Sequence, residues 1–157
     1  MVASLNQSFP VKDLFPNMEQ SRLRTLTAST TGAHPFSIGH AFKQGDITAG
    51  AGIVVAGATA QAIIKSTWPD GSAKVALISG TVGLTANTSA TLSFSAGTAS
   101  TGTALTTADL KGALTHAVSI GAGAFGTASW SDTDWDAPFQ TWASGHHMSS
   151  WVYRKQI

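Results

Sequence analysis

Two alternating runs, Gln61–Trp68 and Ser72–Ser79, flank Pro69-Asp70-Gly71, and this pattern constrains the fold more than any other stretch of the chain. In the first run Ala62, Ile64, Ser66 and Trp68 share one face, and Gln61, Ile63, Lys65 and Thr67 share the other. In the second, Ala73, Val75 and Leu77 stand opposite Lys74 and Ala76. A period of two belongs to a β-strand, whose successive side chains point to opposite faces. Between the runs, proline presets φ for a turn, aspartate bonds the backbone two residues on, and glycine supplies a positive φ. The spacing predicts a β-hairpin whose turn is Trp68, Pro69, Asp70, Gly71 and Ser72.

Similar signals recur along the chain. Arg22–Ser29 reads as a strand with Leu23, Thr25 and Thr27 on one face. His34–His40 reads as an extended segment in which Pro35 points to a sheet edge or a strand start. Lys43-Gln44-Gly45-Asp46 and Ala49-Gly50-Ala51-Gly52 read as turns, and Thr88–Ser95 as a strand with Leu92 and Phe94 inward. Thr106 and Asp109 resemble a capping box, and Leu110 and Leu114 are spaced for one face of a short helix. Ala117–Ile120 and Ala124–Ser131 suggest a strand pair, Asp132–His147 is irregular and aromatic, and Ser150–Lys155 alternates again. Short strands with frequent turn signals predict an all-β sandwich or small barrel. The expected organisation is an extended N-terminal arm over 1–21, a barrel over 22–96, and a short helix plus β segment over 97–157. Trp68 is expected to plug the barrel end.

Composition narrows the function. The 157 residues suit one ordinary domain. Charged residues make up only 11%, against roughly 25% in a typical soluble domain. Nine basic and eight acidic residues leave a net charge of +1, and no basic stripe is available to cover phosphates, which argues against nucleic acid as a partner. The basic pairs Arg22/Arg24 and Arg154/Lys155 are short enough to be solvated strand faces. There is no cysteine, which excludes disulfides, thiolate catalysis and cysteine-based zinc sites. The first 20 residues lack the apolar core of a signal peptide. The apolar stretch Ala49–Ala60 is broken by glycine and falls short of the ~20 residues of a membrane helix, so no membrane partner is expected.

Two stretches resemble a known family. Pro35-Phe36-Ser37-Ile38-Gly39-His40-Ala41-Phe42-Lys43-Gln44-Gly45-Asp46 resembles the P-F-x-x-G-x-x-F-x-x-G-D opening of RIFT-like barrel domains. Thr67-Trp68-Pro69-Asp70-Gly71-Ser72-Ala73-Lys74-Val75-Ala76-Leu77 resembles the W-P-D-G-S-x-(K/R)-x-A-x-L hairpin of the same family. Such domains stand at the N-terminus of exo-rhamnogalacturonan-lyase-like proteins and in phage or prophage tail and virion proteins. The resemblance covers about Arg22 to Phe94. Trp151-Val152-Tyr153-Arg154 is similar to the strand that leads such proteins into a further domain, so the chain is expected to be part of a longer polypeptide. The resemblance implies a structural component of a virion, at the tail or its host-facing end, assembled in the bacterial cytoplasm. Its partners would be copies of itself and other virion proteins. The alternative it implies is a non-catalytic accessory barrel of a polysaccharide lyase, or a carbohydrate-binding module with glycan contacts.

The candidate chemical groups are few, and no catalytic, cofactor or metal site is expected. Asp70 is explained by turn chemistry. His146 and His147 are adjacent, and strand neighbours point to opposite faces, which disfavours joint chelation. Asp132, Asp134 and Asp136 invite calcium, yet Ala137 and Ala143 stand where an EF-hand needs glycine and glutamate. Gly50-Ala51-Gly52 lacks the Lys-Ser/Thr ending of a phosphate loop, and no G-x-S-x-G elbow is present. Trp130, Trp135, Phe139, Trp142 and Trp151 crowd the last third of the chain, and Phe9, Leu14 and Phe15 make the arm apolar. Aromatic side chains are enriched at interface cores, so these eight residues are the expected interface.

Overall fold

The computed structural model describes residues 22–113 and 118–156. The arm over 1–21, with Phe9, Leu14 and Phe15, lies outside the described residues, as does Leu114. The structure is mostly β. Its elements in chain order are β1 (Leu23–Thr27), β2 (Gly32–Ala41), β3 (Gly52–Ala56), β4 (Thr59–Thr67), β5 (Ala73–Leu84), β6 (Ser89–Gly97), α1 (Thr107–Ala113), β7 (Val118–Gly121), β8 (Thr127–Trp130), β9 (Gln140–Ala143) and β10 (Ser150–Val152). Two 3-10 turns, Gly123–Phe125 and Asp132–Asp136, interrupt the later strands.

Ladder hydrogen bonds among the described residues define two three-stranded antiparallel sheets, ordered β2-β5-β4 and β1-β6-β3. Two small hairpins, β7-β8 and β9-β10, follow. The all-β expectation holds. The predicted hairpin is β4-β5, and Pro35 does lie on an edge strand, β2.

One core serves both large sheets. Ala76, Ile78, Val82 and Leu84 of β5 join Leu92 and Phe94 of β6, Ile53 of β3, and Phe42 and Ile47 of the β2–β3 connection. Alternation explains the set: within β5 the even-numbered residues from Ala76 to Leu84 are buried, while Val75, Thr81 and Gly83 are exposed. Sequence alternation thus identified the two faces of β5 but left open which is internal. In β1 the face of Leu23, Thr25 and Thr27 is exposed, and Leu26 is the residue that packs against the core. His40 is buried among aromatics, its ring 4.5 Å from that of Phe42 and 4.6 Å from that of Phe94.

Two strands escaped the sequence reading. Strand β3 lies within the glycine-broken Ala49–Ala60 stretch, where Ile53-Val54-Val55 is too short to show a period. Strand β9 lies in the irregular aromatic segment. Strand β4 also departs from simple alternation: register shifts at Ile64/Ser66 and Ser66/Thr67 twist it as it approaches the turn.

Glycine has a packing role at Gly80, where an added Cβ would run into the backbone of Thr59 and Ala60 on β4. Hydroxyl rungs tie register partners across strands: Thr27 to Ser89 at 3.1 Å, Ser37 to Ser79 at 2.9 Å and Ser119 to Ser129 at 3.1 Å. Such cross-strand pairs contribute roughly 0.2–1 kcal/mol each.

Truncating Ile78 to alanine removes a fully buried side chain and should lower the unfolding free energy by about 2–5 kcal/mol in a denaturant titration. Leu23→Ala, on the exposed face of β1, should cost less than about 1 kcal/mol. Equal losses would show that the core is not where the burial pattern puts it.

Candidate interaction surface

The Trp68–Ser72 turn is built from its own side chains. Gly71 N–H donates to the Trp68 carbonyl at 2.9 Å, and Trp68 N–H to the Ser72 carbonyl at 2.8 Å. Asp70 Oδ1 accepts from the Ser72 N–H at 3.0 Å and the Ser72 hydroxyl at 2.6 Å, and Oδ2 accepts from the Gln44 amide at 2.9 Å. Hydrogen bonds from Ser72 and then Gln44 hold the Asp70 carboxyl below its ordinary range, because they stabilise the charged form. The Gly45 N–H donates to the Ser72 hydroxyl oxygen at 3.0 Å. Asp70 closes its own turn, as turn chemistry anticipated, and also locks it to the Gln44–Gly45 turn, which the sequence did not indicate. Trp68 is half-buried: its indole N–H donates to the Phe42 carbonyl at 3.2 Å, and the Lys74 ammonium lies 4.7 Å from the ring centre. It braces the Phe42–Asp46 turn.

The five late aromatics do not form one cluster. Trp135 packs edge-on against Tyr153 with ring centres 4.9 Å apart, and the Tyr153 hydroxyl donates to the Trp135 carbonyl at 2.8 Å. This pair is a small core of its own, and its burial raises the Tyr153 pKa. Trp130 and Trp151 are half-buried. No ring contact joins the five to one another among the described residues. Phe139 and Trp142 are each 56% exposed, and each carries a cation: the Arg154 guanidinium at 4.0 Å and the Lys65 ammonium at 4.9 Å from the ring centres. Two further exposed residues were missed by the sequence reading. Phe125 is 85% exposed and Ile120 is 54% exposed, both on the β7-β8 hairpin. Neither is a tryptophan, and their exposure is a property of the folded hairpin that leaves no mark in the local sequence.

The acids are engaged locally. Asp46 pairs with Arg22 at 3.0 Å, and Asp136 with Lys111 at 3.0 Å. Asp109 accepts the backbone and hydroxyl hydrogens of Thr106 at 2.7 and 2.8 Å, forming the expected cap of α1. Asp134 does the same for Ser131 at 2.7 and 3.0 Å and also holds Lys155 at 2.9 Å. These bonds, led by the Ser131 N–H, lower the Asp134 pKa to about 2. Within the D-x-D-x-D run Asp134 and Asp136 thus serve separate partners, and no group of three metal-capable side chains converges among the described residues. His146 and His147 face each other with ring centres 4.3 Å apart, and His146 Nε2 lies 2.9 Å from the Ser100 hydroxyl.

Two shallow grooves flank the sheets. One, of about 340 Å³, runs past Val54, Ala58, Thr59, Thr98 and Ser100. The other, of about 230 Å³, lies between Leu26, Ala28, Phe36 and Leu84. Neither is lined by a carboxylate. No helix among the described residues is long and apolar enough to cross a membrane.

Two measurements test these local assignments. Gly71 has φ of 81°, and an added Cβ would lie 3.0 Å from the Ala49 Cβ. Gly71→Ala should therefore cost about 1–2 kcal/mol in thermal unfolding. For Asp134 the folded pKa is depressed, so its contribution is complete above the ordinary aspartate pKa of about 3.9. It is lost as the pH falls from there through about 2. Carboxyl chemical shifts should titrate with a midpoint near 2 in the native chain, and a midpoint near the ordinary value would remove the assignment.

Comparison with protein-family models, with curated proteins and with solved structures finds no match to this chain.

Proposed function

We propose that this chain is a non-catalytic structural component of a bacteriophage virion, in the tail or its host-facing end. It would act through contacts with copies of itself and with other virion proteins, and be assembled in the bacterial cytoplasm. The observation that carries the reading is the exposed apolar surface of the last third, where Ile120, Phe125, Phe139 and Trp142 are each more than half exposed. Exposed aromatic and apolar side chains concentrated in one part of the chain suit an interaction surface, whose buried centre aromatics typically dominate.

Two further features support it. The carboxylates at Asp46, Asp70, Asp109, Asp134 and Asp136 are committed to turns, caps and ion pairs, whereas acid–base chemistry needs groups free to exchange protons. The low-charge surface, rich in threonine, serine and alanine, suits packing within an assembly. The choice of a phage particle rests on the RIFT-like barrel resemblance of Pro35–Asp46 and Thr67–Leu77. The glycan-binding alternative needs an open ring face for stacking; the cations over Phe139 and Trp142 occupy one face of each ring and leave the other, so that reading is separated by experiment.

Mass spectrometry of particles purified from cells carrying the gene should find this chain in many copies per particle. Its absence from particles, together with quenching of tryptophan fluorescence by an oligosaccharide, would replace this reading with the glycan-binding one. Phe139→Asp with Trp142→Asp should abolish incorporation while leaving the thermal midpoint of the isolated chain within a few degrees.

A further inference from the structure

We infer that the β9-β10 hairpin is a releasable strap, docked on the sheets through polar contacts centred on Gln61 and able to undock while both large sheets stay folded. Gln61 projects from β4 and is 4% exposed. Its Nε2 donates to the Met148 carbonyl at 2.7 Å, and its Oε1 accepts the N–H groups of His147 and Met148 at 2.6 and 3.1 Å. One amide side chain thereby stands in for a strand partner to the loop between β9 and β10. Gly145 makes room for it, since a Cβ there would overlap the Gln61 amide.

The remaining ties are also polar. Lys65 Nζ donates to the Trp142 carbonyl. Leu105 N–H donates to the Gly145 carbonyl at 3.0 Å, and the Ser149 hydroxyl to the Leu105 carbonyl at 2.9 Å. Ser100 bonds His146, whose ring lies over Gly102.

What the joint lacks is a share in the main core: among the described residues none beyond Phe94 belongs to that cluster or is among the partly buried residues packed on it, and Ala143 of β9, though buried, lies outside it. The far end of the strap is tied to its own neighbours, through Tyr153 to Trp135 and Lys155 to Asp134. The neighbouring helix is tied to the same turn through Lys111 to Asp136. Buried hydrogen bonds exchange for water at modest net cost, whereas separating a packed apolar core does not. Regions held by few apolar contacts open independently of the global transition. The joint is therefore the place where the molecule opens first.

Amide hydrogen exchange on the intact chain tests this. The amides of Thr141–Ala143, His147, Met148 and Ser150–Val152 should share one opening and exchange at least ~100-fold faster than the interior amides of β5. Gln61→Leu, similar in size but unable to bond, should accelerate that whole set by a further ~10-fold or more and leave β5 unchanged. Gln61→Glu, which sets a buried carboxylate oxygen against the Met148 carbonyl in place of the donor, should accelerate the set at least as much. Three results overturn the inference: strap amides that exchange at the β5 rate, strap amides that respond to Gln61→Leu individually, or a Gln61→Leu chain that fails to fold. Each would mean that the strap and the sheets are one cooperative unit or that no common joint exists.

Discussion

The single apolar cluster to which β5 and β6 contribute most is the constraint on which the rest of the structure depends. β5 is the central strand of its sheet, and β6 is the central strand of the other. Ile78 and Val82 on the first and Leu92 and Phe94 on the second are almost wholly buried. A central strand has neighbours on both sides, so its inward residues receive the most complete cover. Once these two strands share that cluster, β2 and β4 are placed by pairing with β5, and β1 and β3 by pairing with β6. The aromatic set of His40, Phe42 and Phe94 then fills the space between the sheets where β2 ends.

A chain with so few charges must satisfy its polar surface by other means. Hydroxyl rungs between register partners, side-chain caps on Thr106 and Ser131, and the Asp70 lock between two turns provide them. Three ion pairs among the described residues join Arg22, Lys111 and Lys155 to Asp46, Asp136 and Asp134, linking segments that are distant in sequence. Exposed pairs of this type contribute little to stability, and their role here is to fix orientation. The polar joint at Gln61 belongs to the same economy. It attaches the last third of the chain through hydrogen bonds and leaves aromatic surface facing outward.

Local chemistry was legible where it is self-contained. Pro69-Asp70-Gly71 specifies its turn because the bonds that make the turn lie within five residues. The Thr106–Asp109 cap was readable for the same reason, and the inward placement of Leu92 and Phe94 followed from alternation in a strand buried on one face. The candidate interface was read less well. Counting tryptophans grouped Trp135 with Trp142, yet one is packed against Tyr153 and the other is exposed. Phe125 and Ile120 went unnoticed, because exposure of an apolar residue depends on which neighbours cover it and leaves no local mark.

The amino-acid sequence alone determined the strand-and-turn character of this protein: the β4-β5 hairpin, the helix cap and the absence of cysteine chemistry. These follow from backbone preferences and hydrogen bonds that close over a few residues. Only the tertiary structure decided which face of β5 is internal, that Ile53–Val55 is a strand, and that Gln61 reaches across to bind the backbone of residues 147 and 148. Those outcomes depend on contacts between segments up to 87 residues apart, for which a one-dimensional pattern carries no signal. The Trp68–Ser72 turn illustrates the division. Its shape was written in five residues, while its lock onto Gln44 and Gly45 appeared only once the sheets had brought the two turns together.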